Sequence, residues 1–173
     1  MKIRLLPIGL SLLLAGLSAH QLQAVETDEL IRASMIDKIA RFVEWPTWED
    51  QRFRLCVTDK NPLLPALQSY YENSLLANKP VLLATFKGSS LPKNCQAVFL
   101  SDENLENLPT LLQLTRNQPI LIVVEKENSV NQGVHIDFYT DENRLHLEVN
   151  RKSLETSGLK VSYHLLKVAR IVN

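Results

Sequence analysis

The chain has 173 residues, 45% of them hydrophobic, and carries 19 basic and 19 acidic side chains, so its formal net charge at neutral pH is zero. Such a balance lacks the basic excess that a nucleic-acid backbone demands, which argues against a nucleic-acid partner. Length and composition suit one domain with a real core, and the sequence contains no repeat, low-complexity run or linker-like stretch that would divide it.

Met1-Lys2-Ile3-Arg4 makes a charged start, Leu5 to Leu17 is almost entirely apolar, and small and polar residues lead to Ala24. That order is the pattern of a secretory signal peptide. An apolar run of roughly 13 residues falls short of the ~20 that a spanning helix needs. The expected organisation is a signal peptide at 1–24, cleaved near Ala24, and a single domain at 25–173 that is exported and not itself transmembrane after cleavage. Leu22 at the −3 position is not ideal for cleavage, and an uncleaved anchor is the competing reading. Removal of the leader takes Lys2 and Arg4 and leaves 149 residues with 17 basic and 19 acidic side chains.

Cys56 and Cys95 are the two cysteines. In an exported chain an even count invites a disulfide, and here one pairing is available. Both lie at apolar, strand-like segments, and closing a loop of about 40 residues stabilises by about 4 kcal/mol at most. Two buried free thiols are the alternative.

In chain order, Glu26 to Trp45 reads as a helix. Thr27 is a candidate N-cap, and Met35, Ile36, Ile39, Phe42 and Val43 fall at helical spacing on one side. Arg32, Asp37, Lys38 and Arg41 fall mostly on the other side, with Asp37 and Arg41 an i,i+4 pair. Pro46 should stop this helix near Trp45. Phe53 to Val57 is a first strand. A helix carrying Leu63, Leu64, Leu67, Tyr71 and Leu75 follows, with Asn61 as cap and Pro62 at its first position. Pro80–Phe86 and Ala97–Leu100 are strands. Leu105, Leu108, Leu111 and Leu112 mark another helix. The continuous run Ile120–Val124 suits a strand covered on both faces.

After Gly133 the pattern alternates. Val134, Ile136 and Phe138 oppose His135, Asp137 and Tyr139, and Leu145, Leu147 and Val149 oppose Arg144, His146 and Glu148. This is an antiparallel hairpin with one dry and one wet face, in a register that sets Tyr139 against Arg144 across a four-residue loop. A short helix from Asn150 to Gly158 and a last helix from about Ser162 to Val172 close the chain. The fold class is α/β: a three-layer, mostly parallel sheet flanked by helices, with an antiparallel C-terminal hairpin at the sheet edge.

No catalytic constellation emerges. The expected hairpin register brings His135 opposite Glu148 and Asp137 opposite His146. These are residue types that can bind zinc, but cross-strand charge pairing on a wet face is the favoured reading and no metal is expected. Gly-x-Ser-x-Gly is absent. Ser162 and His164 sit at i,i+2 on a helix, where side chains diverge. The loop after the first strand lies where α/β sheets often bind ligands, yet Asp59 would repel an anion, and helix capping is preferred there. Arg41, Glu44, Trp45 and Trp48, around the helix end, form the candidate partner interface, since tryptophan and arginine are over-represented at binding hot spots. Core anchoring of the helix is the alternative, and at least one tryptophan should serve it.

Arg32-Ala33-Ser34-Met35-Ile36 and Ala40-Arg41-Phe42-Val43-Glu44-Trp45-Pro46 resemble the YfiR family of periplasmic proteins. So do Phe53–Val57, Cys95–Leu100, Ile120–Val124, Gly133–Ile136, Leu159–Ser162 and Leu165–Ala169, which together span about residues 30 to 172. The resemblance implies regulation without catalysis or cofactor. The best-known member is a repressor that binds the periplasmic sensory domain of an inner-membrane diguanylate cyclase and so restrains cyclic di-GMP and biofilm formation. Family members can be homodimers, and the family cysteines matching Cys56 and Cys95 form a disulfide. A second family cysteine pair, tied to redox response, has no counterpart in this sequence, so redox sensing does not carry over. The resemblance implies an inner-membrane sensor, a diguanylate cyclase first, with a histidine kinase or another receptor as alternatives that the diversity of the family leaves open. A periplasmic small-ligand-binding module without an inhibitory partner is the alternative function.

Overall fold

The structure, a computed structural model, describes the backbone of residues 16–172 and the side chains of 28–172. The leader expected at 1–24 thus lies outside the residues with described side chains, and 1–15 lie outside the description altogether.

Helix α1 (Gly16–Arg41) leads into a two-residue strand, β1 (Val43–Glu44). Then come β2 (Phe53–Thr58), α2 (Leu64–Tyr71), the short β3 (Leu75–Leu76), β4 (Lys79–Phe86) and β5 (Ala97–Ser101). A 3-10 turn at Asp102–Asn104 precedes α3 (Leu108–Leu114) and β6 (Leu121–Glu125). A second 3-10 turn, Ser129–Gln132, leads to β7 (Ile136–Asp141), β8 (Arg144–Asn150) and α4 (Arg151–Thr156). The chain ends with β9 (Lys160–Val161), α5 (Tyr163–Val168) and β10 (Arg170–Val172).

The main sheet has eight strands in the order β10-β8-β7-β6-β5-β2-β4-β3. The run β4-β2-β5-β6-β7 is parallel, β8 returns antiparallel to β7, and β10 lies parallel to β8 at the edge. Alternate residues of the central strands face opposite layers, as strand geometry requires. Phe53, Leu55, Val57, Phe99, Leu121, Val123 and Phe138 pack against Ile36 and Ile39 of α1, Leu67 of α2, and Leu154 and Leu165 of α4 and α5. Cys56, Val98, Leu100, Ile122 and Val124 pack on the other side against Leu108 and Leu111 of α3. The architecture is the expected three-layered α/β one.

Several elements depart from the sequence pattern, each because a distant segment decides the local conformation. Helix α1 stops at Arg41, before Trp45. Phe42 closes a turn on Ile39, and Val43 and Glu44 extend to pair with Val161 and Lys160. Leu75 leaves the second helix and joins β3, which returns to β4 through Ala77 and Asn78, both at positive φ. Asn61 accepts the Leu63 N–H at 2.9 Å, one step before the helix it was expected to cap, and Pro65 takes the first-turn position instead of Pro62. The last helix ends at Val168, and Arg170–Val172 becomes a strand.

The hairpin register differs most consequentially. A two-residue loop, Glu142-Asn143, joins β7 to β8, with φ of 46° and 58°, the conformation of a tight two-residue hairpin turn. Tyr139 therefore pairs with His146, and Asp137 with Glu148. The shift from the expected register is two residues, so each side chain keeps its face but changes its neighbour. The supposed wet face is also covered at its base: His135, Asp137 and Glu148 are all buried. Asp37, read as part of the polar side of α1, is buried as well.

Candidate functional site

The tryptophan corner is built by the turn out of α1. Trp45 lies edge-on to Trp48 and Phe53, with ring centroids 6.4 and 5.1 Å away, and Trp48 lies edge-on to Phe53 at 6.0 Å. Phe53 is fully buried at the start of β2, so the aromatic trio fastens the corner to the core, with the centroid spacings such pairs prefer. The Trp45 indole N–H reaches the Ala40 carbonyl at 3.4 Å. Lys79 of β4 places its ammonium 4.6 Å from the centroid of Trp48, a cation–π contact, while the Trp48 Nε1 is buried without a hydrogen-bond partner.

Both tryptophans keep part of their surface exposed. They line a groove of about 410 Å³ with Asn94, Gln96, Pro119 and Ile120, beyond the N-terminal ends of β5 and β6. Glu44 is exposed on β1 opposite Lys160. Arg41 turns toward α2 and β3: its Nε donates to Asp37 Oδ2 at 2.6 Å and its Nη2 to the Leu75 carbonyl at 2.5 Å. Of the four residues singled out in the sequence, Trp45 and Trp48 come together on one groove. Arg41 is engaged within the fold.

The corner is held from behind by the far end of the chain. Besides the β1–β9 pairing, the Ser162 N–H donates to the Phe42 carbonyl at 2.8 Å. The two blocks Phe42–Pro46 and Leu159–Ser162 are thus one clasp, which no local signal in the sequence announces.

Cys56 and Cys95 are bonded, with Cα atoms 6.0 Å apart. The bond lies on the α3 side of the sheet, and Cys95 touches the same groove as the tryptophans.

At the opposite end of the strands, β2 proceeds to β4 on one side and β5 lies on the other, so the strand order reverses between β2 and β5. Crevices of this kind are the common ligand sites of α/β sheets. Here the crevice is about 280 Å³, lined by Thr58, Asp59, Lys60, Lys87, Asn104 and Asn107. Asn104 Oδ1 accepts from Thr58 Oγ1 at 2.7 Å and from Ser101 Oγ at 3.0 Å, tying its two walls together. Lys87 stands 3.6 Å from Asp59.

His135 illustrates why the polar residues of the hairpin do not form a nucleophilic site. Its Nδ1 accepts the Ile122 N–H at 2.9 Å, so its proton resides on Nε2, which lies 3.1 Å from Ser157 Oγ. The Ser157 hydroxyl in turn has the Leu154 and Ser153 carbonyls as acceptors. The imidazole donates to the serine and cannot take its proton. Burial pushes its pKa down to about 4, so it is neutral near neutrality. Asp137 and Glu148 face each other below it, and the imidazoles of His135 and His146 do not complete a ligand set with them: among the described residues no three His, Cys, Asp or Glu side chains are grouped to hold a metal ion. Ser162 opens α5 with extended backbone, and His164 is exposed. Among the described residues no helix is long and apolar enough to cross a membrane.

The chain is thus a mostly parallel α/β domain with a clasped N-terminal helix, a disulfide on one face and an aromatic groove at the strand starts. The chain belongs to the YfiR/HmsC-like family (DUF4154), whose model matches residues 29–170. Its fold is similar to the crystal structure of a conserved domain protein from Vibrio cholerae O1 biovar El Tor strain N16961, with a TM-score of 0.57 at 12% identity. That likeness covers 84% of this chain and 60% of the other, so this chain spans about three-fifths of that protein's length. Identity at that level speaks for the fold alone. No curated protein matches the chain.

Proposed function

We propose that this chain is an exported regulatory domain. Residues 1–24 are its leader, and the domain at 25–173 binds and restrains the periplasmic sensory domain of an inner-membrane signalling protein, a diguanylate cyclase. The observation that carries this reading is the family match, which runs from the middle of α1 to the first residue of β10. The tryptophan groove supports it as the partner surface, because aromatic side chains fixed on one side and open on the other bind at little entropic cost. Glu44 and the exposed edges of Trp45 and Trp48 form that surface.

The test is genetic and biochemical together. Deleting the gene should raise cyclic di-GMP and surface attachment, and crosslinking in intact cells should join the exported chain to an inner-membrane sensor. Unchanged cyclic di-GMP with no sensor crosslinked would end this reading.

The crevice between β2 and β5 favours a second reading, a small-ligand-binding module. A metabolite that copurifies with the chain and raises its melting temperature, with loss of the effect in Asn104→Ala, would support it. The two readings coexist if such a ligand relieves the restraint.

A further inference from the structure

Asp137 and Glu148 face each other across the β7–β8 pair, and their residues are closed to solvent, at 0% and 1% exposure. Like charges in that arrangement destabilise a sheet. Each carboxyl has one oxygen engaged and one free. Asp137 Oδ2 accepts the Val130 N–H at 2.9 Å, and Glu148 Oε1 accepts the Arg170 Nε–H at 2.5 Å, while Asp137 Oδ1 and Glu148 Oε2 are buried without a partner. An unpaired buried oxygen is costly. One proton held between the two free oxygens satisfies both.

Charge counting leads the same way. Arg170 is ion-paired with Glu148, and its Nη2 also donates to Asn128 Oδ1 at 3.3 Å. Two ionised carboxyls beside one guanidinium leave a net negative charge on carboxyls closed to solvent, whereas one retained proton leaves the group neutral. The surrounding titratable groups do not change that sum in favour of a second negative charge. Tyr139 and His146 stack beside the pair on the same hairpin, Glu127 acts on Tyr139 from the loop after β6, and the buried His135 is neutral.

The pair is also where four segments meet. Asp137 belongs to β7, Glu148 to β8 and Arg170 to β10, and Val130 belongs to the 129–132 turn, whose carbonyl accepts from Asn150 Nδ2 at 2.8 Å. We propose that Asp137 and Glu148 share one proton, and that its loss sets two buried like charges against each other, a repulsion relieved when β10 and the 129–132 turn, which meet at the pair, open and admit water. Since β10 is the outermost strand, its release bares the edge of β8 to a new partner strand.

Burial pushes the Asp137 carboxyl up to about 7, with the Val130 N–H working against the rise and Glu148 adding to it. The raised value fixes the sign. The stabilisation is fully present below the unfolded value of about 3.9 and is lost as pH rises through the folded value. Opening of the edge therefore grows by up to about tenfold per pH unit between ~4 and 7 and levels off above.

Carbon-13 NMR of the side-chain carboxyls, together with hydrogen exchange of the intact chain, tests this. One carboxyl of the pair should titrate near neutrality. Protection at 170–172 and 130–133, corrected for the intrinsic exchange rate, should fall across the acid side of that range, while β5 and β6 hold theirs. Asp137→Asn keeps a donor for Glu148 Oε2 without titrating, and should make the protection at 170–172 independent of pH. Two carboxyls titrating below about 5, or protection at β10 that ignores the titration, would overturn the proposal. If Asp137→Asn does not fold, the wild-type measurements decide alone.

Discussion

Cys56 on β2 is bonded to Cys95 on the segment that must travel back along β2 to connect β4 with β5. The other parallel connections of the sheet contain helices or a 3-10 turn, and this one contains neither among the described residues. The disulfide therefore does for residues 87–96 what helix packing does for the rest. The Gln96 N–H, bonded to the Arg54 carbonyl at 3.0 Å, continues the strand pairing from the point that the disulfide fixes.

The double substitution Cys56→Ala, Cys95→Ala should lower stability by about 2–4 kcal/mol. Denaturant unfolding measures the loss, and hydrogen exchange should place the local loosening at 87–96 ahead of the other connections. Mass spectrometry of the unreduced protein should find the Cys56–Cys95 link.

Ser162→Pro isolates one bond of the clasp. Ser162 has φ of −66°, which proline adopts without strain, and the extended Val161 before it is compatible too. The substitution removes the N–H that the Phe42 carbonyl accepts, together with a hydroxyl that is buried without a partner. A loss of about 1 kcal/mol is expected, with fraying of β1 and β9 seen in exchange at Val43 and Val161.

Much of the fold was legible because strands and helices bury apolar side chains at fixed periods. Phe53–Val57, Ile120–Val124 and the Leu108, Leu111 pair carry their assignment in their own spacing. What was hidden depended on partners far along the chain. Phe42–Glu44 continues a helical pattern and is pulled straight by Lys160 and Val161. Arg170–Val172 continues another and becomes an edge strand through Glu148. The register of the hairpin turned on Glu142 and Asn143 both accepting positive φ, which the four-residue loop reading did not foresee. Of the candidate site, the Cys56–Cys95 pairing and the closeness of Trp45 and Trp48 were readable. The burial of Asp137 and Glu148 was not, because alternation with apolar neighbours looks the same whether the second face meets water or a covering turn.

His135 and Asp137 give stability opposite dependences on pH over one range. His135 is held down to about 4 by burial, below an ordinary value near 6.5, so its contribution is present above the unfolded value and is lost as pH falls through the folded one. The loss amounts to about 3 kcal/mol in full. Asp137 loses its contribution in the other direction. Asp137→Asn should therefore make the protein more acid-sensitive between pH ~4 and 6.5, and His135→Asn should make stability fall with rising pH. Melting temperatures across that range, compared with wild type, check both signs.

Trp45 and Trp48 divide between fold and surface. Trp45→Ala removes the ring nearest Phe53 and should cost about 3 kcal/mol in thermal or denaturant unfolding. Glu44→Arg, at an exposed position opposite Lys160, sets like charges across β1 and β9 and should cost no more than about 1 kcal/mol while weakening partner binding.

The most direct measurement is cyclic di-GMP in cells lacking the gene, complemented with wild type or with folded Glu44→Arg or Trp48→Ala protein. Restraint of an inner-membrane cyclase predicts a rise on deletion, return to the original level with wild type, and little return with either variant. Cyclic di-GMP that stays unchanged on deletion would contradict the account at its centre.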